Sequence, residues 1–185
     1  PKSIREVDFK NIEIPYEATW DQPDVQWKYQ VPSKSVKLRN GQWAANEAFV
    51  TFSGLTLEEV LYGDITGDGA EEAVAVLRFD TGGTMNWHHI YVFKMRENLP
   101  RGIATYGTGE RSSYGLHEIT MQRQELVVEL YDPATQLALC CSSGIERTRY
   151  QWDGRTFRRV GAVERAKAKS DSRRPIDFFG MAHDR

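Results

Sequence analysis

The chain has 185 residues, of which 40% are hydrophobic and 27% charged, and its formal net charge is −2. This is the composition of a globular protein, and the 5 Trp, 8 Tyr and 8 Phe residues exclude a disordered chain. The length suits one domain with a sizeable hydrophobic core.

The charges are divided unevenly along the chain. Residues 1–154 carry 15 Lys or Arg against 22 Asp or Glu, a balance of −7, whereas residues 155–185 carry 9 against 4, a balance of +5. Because a nucleic-acid partner requires a cationic surface that neutralises phosphates, the acidic body predicts no nucleic-acid binding. We interpret the basic end as a solvated tail.

The sequence predicts a water-soluble protein, because no apolar run approaches the ~20 residues that a transmembrane helix needs. The chain begins with Pro1 rather than Met, from which we expect that an upstream segment has been removed. A secretory signal peptide is one such segment, and deliberate shortening of the chain is the other explanation.

The first third of the chain predicts short strands separated by loops. Residues 7–14 suggest a strand with an irregularity near Asn11, and residues 17–35 a long loop. The pair Asn40-Gly41 predicts a small hairpin, because these residues tolerate the positive φ of a type I′ turn. A further short strand is expected over residues 49–52.

The middle of the chain contains the strongest strand signals. Residues 55–62 fit a strand by their alternation, or one helical turn by the capping-box spacing of a threonine and a glutamate. Residues 73–79 are nearly all apolar and predict a central strand that is buried on both faces. After a glycine-rich turn, alternation places Trp87 and His89 on one face of the next strand and His88 on the other.

The last third predicts further hairpins. A strand is expected at residues 102–106, a hairpin over 116–131 and a final hairpin over 146–160, whose turn is Asp-Gly. Residues 163–175 are polar and charged and show no strand pattern, and residues 176–181 form a short apolar patch.

Together these elements predict a mainly β fold: an antiparallel sandwich, a barrel or a curved sheet, with α+β as the alternative. We expect a single β-rich domain over residues 1–162 and a polar, basic C-terminal tail with a short apolar end over residues 163–185. The Asp-x-Thr-Gly-Asp-Gly stretch occurs once, which argues against a propeller built from such repeats.

The strongest motif is the stretch DITGDGAEE, an acidic loop over residues 64–72 with glycines that permit sharp bends. Calcium takes about six to eight oxygen ligands, and a tight loop presents oxygens inward at alternate positions. The candidate metal ligands are Asp64, Thr66, Asp68, the carbonyl of Ala70 and Glu72. The alternative is a metal-free turn in which Asp and Thr side chains cap backbone N–H groups.

This loop resembles the calcium loops of FG-GAP (integrin-type) and VCBS repeats, in which an Asp-rich loop joins two strands. The resemblance covers residues 60–79 and implies calcium ligands at Asp64, Asp68, Ala70 and Glu72. Thr66 departs from it, because those families carry Asp or Asn there. Proteins with such loops are mostly exported and bind partners, so the resemblance implies a periplasmic or extracellular domain, similar to uncharacterised exported bacterial proteins with a single such loop.

A second group of candidates surrounds the polar segment after residue 106. Arg111 and Tyr114 could bind an anion or a glycan, with Trp87 as an aromatic platform, although core packing is the competing role for Trp87. His88 and His89 point in opposite directions from a regular strand and so cannot both ligate one ion. We interpret them as ordinary strand histidines.

These patterns predict a non-catalytic, exported binding or interaction domain, with calcium in the acidic loop as one of two alternatives. The ligand, whether protein, glycan or small molecule, is not identified. No G-x-S-x-G or H-E-x-x-H signature is present. The alternatives are a structural module of an envelope assembly and a small hydrolase that uses Arg111, His88 or His89, and Glu110.

Overall fold

The computed structural model describes residues 1–15, 35–45, 53–80, 86–110, 113–138 and 141–169. Antiparallel strands dominate these residues, so the prediction of a mainly β fold is confirmed. The strands are β1 (Glu13–Pro15), β2 (Ser35–Lys37), β3 (Gln42–Ala45), β4 (Ser53–Gly63), β5 (Glu72–Asp80), β6 (Asn86–Arg96), β7 (Leu99–Glu110), β8 (Leu116–Gln122), β9 (Glu125–Tyr131), β10 (Gln136–Ala138), β11 (Cys141–Ser142), β12 (Gly144–Trp152) and β13 (Phe157–Lys167). The described helices are 3₁₀ turns at Ile4–Glu6, Phe9–Asn11 and Pro133–Thr135, and none of them is long and apolar enough to cross a bilayer.

Two open sheets form the body of the described protein. The first sheet has the strand order β3-β4-β5-β6-β7, and the second sheet has the order β13-β12-β9-β8. Strands β1 and β2 form a small separate ladder, as do β10 and β11. Most pairs join strands that are consecutive in sequence, which is the usual outcome when short turns connect antiparallel strands.

The two sheets pack on each other through a shared apolar core, as in a β-sandwich. Val74 and Val76 of β5 and Ile90 of β6 belong to the same buried cluster as Leu126 and Val128 of β9. All five side chains are at most 3% exposed. Burial of a side chain of this size contributes about 1.5–3 kcal/mol, so this layer is a main source of stability. The prediction of a central, two-sided buried strand at 73–79 is confirmed in β5.

The opposite face of the first sheet is covered by the N-terminal residues. Ile4 and Phe9 are buried in a second cluster together with Leu77 of β5 and Tyr91 of β6. The predicted strand over 7–14 is wrong except at its end: Phe9–Asn11 form a 3₁₀ turn, and only Glu13 and Ile14 of this segment belong to a strand, β1. The turns are capped by the side chains of Ser3 and Asp8, which accept hydrogen bonds from nearby backbone N–H groups.

The Asn40-Gly41 turn has the predicted geometry, with φ values of 52° and 81°. Arg39 and Gln42 pair across the turn, as the predicted hairpin requires, whereas β2 pairs with β1 and β3 with β4. Residues 55–62 adopt the strand alternative within β4, which has a bulge between Leu57 and Glu59. The predicted strand at 49–52 and the glycine-rich turn lie outside the described residues, as does nearly all of the long loop predicted at 17–35.

The two predicted C-terminal hairpins are confirmed as β8–β9 and β12–β13. Strand β13 continues to Lys167, so the absence of strand structure predicted from residue 163 is wrong for residues 163–167. Here Glu164 lies opposite Arg147 in β12 and Arg165 lies opposite Glu146. Backbone pairing and cross-strand ion pairs therefore support a strand that has no apolar periodicity. The apolar patch at 176–181 lies outside the described residues.

Candidate functional site

The acidic loop connects β4 to β5, whose first residue is the last loop residue, Glu72, and it closes one end of the sandwich. Ile65 is 1% exposed and belongs to the core between the two sheets. A Cβ atom added at Gly67 would lie 3.1 Å from the side-chain nitrogen of Gln124, so the β8–β9 turn covers the loop from the second sheet. Gly67 also has a φ of 76°, which a residue with a side chain rarely adopts.

Asp64 shapes the loop by accepting hydrogen bonds from its backbone. Its Oδ1 accepts from the N–H of Gly67 at 2.7 Å, and its Oδ2 accepts from the N–H of Gly69 at 3.0 Å. Both carboxylate oxygens therefore face the backbone of the bend. This is the capping geometry in which an Asp side chain fixes a turn.

Glu72 is the deepest charged group of the loop, with no solvent-exposed surface. Its Oε2 accepts from the backbone N–H groups of Ile65 at 3.1 Å and Thr66 at 3.0 Å. Its Oε1 lies 3.1 Å from the hydroxyl of Thr66. These bonds join the start of the loop to the start of β5. A buried carboxylate is tolerated only when it is hydrogen bonded and paired with a cation.

The cation is Lys94 of β6. Its Nζ donates to Thr66 Oγ1 at 2.9 Å, lies 3.1 Å from Oε1 of Glu72, and forms an ion pair with Asp68 Oδ2. The register of β5 and β6 explains this position: Ala73 pairs with Phe93, so the next step along each strand brings Glu72 and Lys94 opposite each other. An ammonium group has three N–H donors, and here three oxygens surround it.

The contacts of Lys94 with Asp68 and Glu72 shift the pKa values of Lys94 and Asp68. Burial by itself would lower the pKa of Lys94, but the hydrogen bonds and charges of Asp68 and Glu72 outweigh burial and raise it. The hydrogen bond from Lys94, helped by the backbone N–H of Ala70, lowers the pKa of Asp68. Around neutral pH Lys94 therefore carries a positive charge, and Asp68 a negative one.

The side chains of four predicted calcium ligands, Asp64, Thr66, Asp68 and Glu72, do come together, but their oxygens are already engaged. Both carboxylate oxygens of Asp64 face backbone N–H groups, and one oxygen each from Thr66, Asp68 and Glu72 faces Lys94. Calcium needs about six to eight oxygens at about 2.3–2.6 Å. This arrangement therefore does not fit the ion while Lys94 stays in place. Calcium binding by the loop stays a prediction.

The predicted ligand-binding residues occupy different surroundings. Trp87 stacks on Phe79 at 5.8 Å between ring centroids and packs against the cluster beneath the N-terminal residues. Tyr114 is 37% exposed, has a φ of 59°, and donates its backbone N–H to the carbonyl of Tyr131 at 3.0 Å. Arg111 lies outside the described residues. Ligand binding by these residues stays a prediction.

The two adjacent histidines differ in environment. Burial, helped by the nearby His88, lowers the pKa of His89 to about 4, and its ring packs edge-on against Phe79. His88 is 9% exposed, and its Nε2 lies 3.1 Å from a carboxylate oxygen of Glu58. Glu58 is carried by the bulge of β4, and bulges of this kind redirect side chains.

A similar group in the second sheet was not anticipated from the sequence. Glu129 is 7% exposed; its Oε2 lies 3.0 Å from Nδ1 of His117, and its Oε1 accepts from Arg147 at 2.7 Å. Together with Glu118, these side chains place three potential metal-ligand atoms within 4.8 Å of one another. Arg147 already neutralises Glu129, so the group forms a charge network without a metal. The bulge between Leu116 and Glu118, which has no sequence signature, places His117 there.

Known proteins offer no relative from which a role could be transferred. No family model matches the chain, and no curated protein and no solved structure matches it either. The resemblance of the acidic loop to FG-GAP and VCBS repeats therefore stands on its residues alone.

Proposed function

We propose that this chain is a non-catalytic interaction domain that binds an extended, acidic segment of a partner protein along strand β13. The observation that carries this proposal is the exposure of β13, which is 11 residues long. Phe157 is the buried residue that anchors its beginning, through an edge-on contact with Trp152. The rest of the strand is exposed or half-buried.

Among the strands that the structure describes, β13 is also the last in the order of the second sheet. A strand at the edge of a sheet presents backbone N–H and C=O groups on one side, and an extended peptide can pair with them. Gly161 interrupts the strand with a φ of 74°, beside a bulge in its pairing with β12. Such a bulge limits uncontrolled pairing between identical edges, which favours a selective partner over self-association.

The charge of β13 indicates the chemistry of that partner. Four basic side chains lie on the strand against one acidic side chain, Glu164, and the basic ones are Arg158, Arg159, Arg165 and Lys167. Arg165 and Glu164 are engaged in cross-strand ion pairs, whereas Arg159 projects from an exposed position. Charge complementarity across an interface accelerates association and selects the partner. An acidic extended segment meets this requirement.

The carboxylates of the acidic loop support a structural role for it. Glu72 and Asp64 accept hydrogen bonds from backbone and side chains at every oxygen. A general base must direct a lone pair at the proton that it removes, and these groups direct theirs into the loop. The resemblance of the loop to exported repeat proteins also supports a location in the periplasm or outside the cell. An envelope assembly would be one setting for such a partner.

The hydrolase alternative is best supported at His117, because Glu129 contacts its Nδ1 and leaves Nε2 for chemistry, as in carboxylate–histidine pairs. Chromogenic ester, phosphate and glycoside substrates test it. Hydrolysis by the unaltered protein that disappears in His117→Ala would replace the interaction proposal with an enzymatic one.

Peptide binding tests the interaction proposal directly. Three labelled peptides of equal length, in which Thr alternates with Glu, Gln or Lys, are compared by fluorescence anisotropy and by amide hydrogen exchange. We expect the Glu peptide to bind in a salt-sensitive manner and to protect the amides of β13. Arg159→Glu should weaken binding by roughly tenfold. The matched control is Arg123→Glu, at an exposed turn of the same sheet, which should bind normally.

The proposal fails if no peptide protects β13. It also fails if the two charge reversals weaken binding equally, because binding would then follow net charge rather than the strand.

A further inference from the structure

We infer that the ammonium group of Lys94 replaces the metal ion of the acidic loop, so that a loop of calcium-binding type folds here without calcium. This inference concerns the loop alone and does not depend on the partner of β13. Lys94 lies outside residues 60–79, which carry the resemblance to FG-GAP and VCBS repeats.

The ammonium group of Lys94 lies among the inward-facing oxygens of the acidic loop. The acidic loop offers oxygens that face inward from Thr66, Asp68 and Glu72, which are three of the five predicted ligand positions. The Nζ of Lys94 contacts all three. Its distances of 2.9 Å to Thr66 and 3.1 Å to Glu72 are those of hydrogen bonds, and they exceed the ~2.3–2.6 Å of calcium–oxygen contacts.

The cation of the acidic loop comes from a neighbouring strand. Lys94 is carried by β6, and the pairing of Val74 with Val92 and of Ala73 with Phe93 directs it to the loop. A tethered cation is always present, whereas a free ion must be taken up from solution at a free-energy cost set by its concentration. The loop therefore keeps its geometry at any calcium concentration.

The other carboxylate oxygens of the acidic loop are hydrogen bonded to its backbone. Both carboxylate oxygens of Asp64 accept hydrogen bonds from the N–H groups of Gly67 and Gly69. The Oδ1 of Asp68 accepts a hydrogen bond from the N–H of Ala70. A divalent ion would have to displace Lys94 and leave that ammonium, whose side chain is 18% exposed, without its anionic partners. Thr66 contributes a neutral oxygen where a carboxylate would favour the ion.

Thermal unfolding in millimolar calcium and in chelator tests the inference. A calcium site with a dissociation constant near 10⁻⁴ M would raise the midpoint by roughly 3–6 °C in about 1 mM calcium. We expect no difference for the unaltered protein. Lys94→Met, which keeps most of the unbranched side chain but removes the ammonium group, should lower the midpoint in chelator by roughly 5 °C or more, because Glu72 loses its cation.

Calcium should then raise the midpoint of Lys94→Met, because the three oxygens become available. Lys10→Met, at an exposed position, is the matched control and should behave like the unaltered protein. If Lys94→Met is not recovered folded, Asp68→Asn provides the second variant, and its midpoint should fall equally in both buffers.

Three results would overturn the inference. The first is a calcium-dependent midpoint in the unaltered protein. The second is a Lys94→Met variant, or an Asp68→Asn variant in its place, that is as stable as the Lys10→Met control. The third is a folded Lys94→Met variant that gains nothing from calcium, because the ammonium would then not occupy a metal position.

Discussion

Glu72→Gln is the most informative single change at the loop, because it separates charge from hydrogen bonding at a fully buried position. Gln keeps the shape of the side chain and one carbonyl oxygen, which can still accept from the N–H groups of Ile65 and Thr66. The amide nitrogen then faces Lys94 in place of a carboxylate oxygen. The variant therefore retains the loop backbone and loses the buried ion pair.

The size of the effect follows from the surroundings of Glu72. Removing one partner of a buried ion pair costs about 3–5 kcal/mol. Lys94 is partly exposed and keeps Asp68 and Thr66 as partners, so we expect a loss of about 2–3 kcal/mol. For a chain of this length, that lowers the melting midpoint by roughly 5–10 °C. Glu72→Ala should cost about 2 kcal/mol more, because two backbone N–H groups lose their acceptor.

The assay is urea and thermal unfolding at neutral pH, followed by circular dichroism. Glu71→Gln is the matched control: the neighbouring carboxylate is exposed and pairs with Arg5 at the surface, where ion pairs contribute little. Its midpoint should not differ measurably from that of the unaltered protein. Equal midpoints for Glu72→Gln and Glu71→Gln would refute the buried ion pair as the element that holds the loop.

Three further predictions concern other parts of the fold. Burial lowers the pKa of His89 from 6.5 to about 4, so the unfolded chain binds a proton at a higher pH than the folded protein does. The free energy of unfolding therefore falls as the pH drops below about 6.5, by about 2 kcal/mol between pH 7 and pH 5. His89→Phe should abolish that loss in urea unfolding, and an unchanged pH dependence would contradict the role of burial. Backbone N–H donors and Arg158 lower the pKa of Asp153 to about 2, so its contribution is present above the unfolded value of 3.8 and is lost between about pH 4 and pH 2. Asp153→Asn should flatten the acid-unfolding curve in that window, and a curve of unchanged slope would exclude this group as a cause. A Cβ at residue 109 would lie 2.0 Å from the carbonyl oxygen of Ser113, so Gly109→Ala should cost about 1–3 kcal/mol in thermal unfolding. Full stability of this variant would show that the backbone of Ser113 shifts without cost.

The sequence by itself determined those features that depend on local periodicity and local turn chemistry. The apolar run at 73–79 predicted the central strand, because a strand covered on both faces has no polar face to alternate with. The Asn40-Gly41 pair predicted its turn, because few other residues accept positive φ at both positions. The same reasoning located the bends of the acidic loop and the candidate oxygens of Asp64 and Glu72.

Tertiary structure decided what those oxygens contact. Lys94 follows His88, Ile90 and Val92 on one face of β6, and nothing in that alternation distinguishes it from an exposed lysine. Its contact with Glu72 depends on the register between β5 and β6. A shift of this register by one residue would turn the side chain of Lys94 to the other face of the sheet and break the contact. Register is set by the packing of both sheets and by the intervening turn, so it involves contacts between distant residues that a local pattern cannot specify.

Contacts between distant residues also explain the bulges and the length of β13, which the sequence did not predict. The bulges that present Glu58 and His117 add one residue to a strand without any sequence signature, and they appear only when two strands are aligned. Strand β13 extends past residue 162 because Arg147 and Glu146 of its neighbour pair with its charged side chains. A charged segment of this kind forms a strand only beside a partner strand, since its own side chains bury too little apolar surface to hold it there.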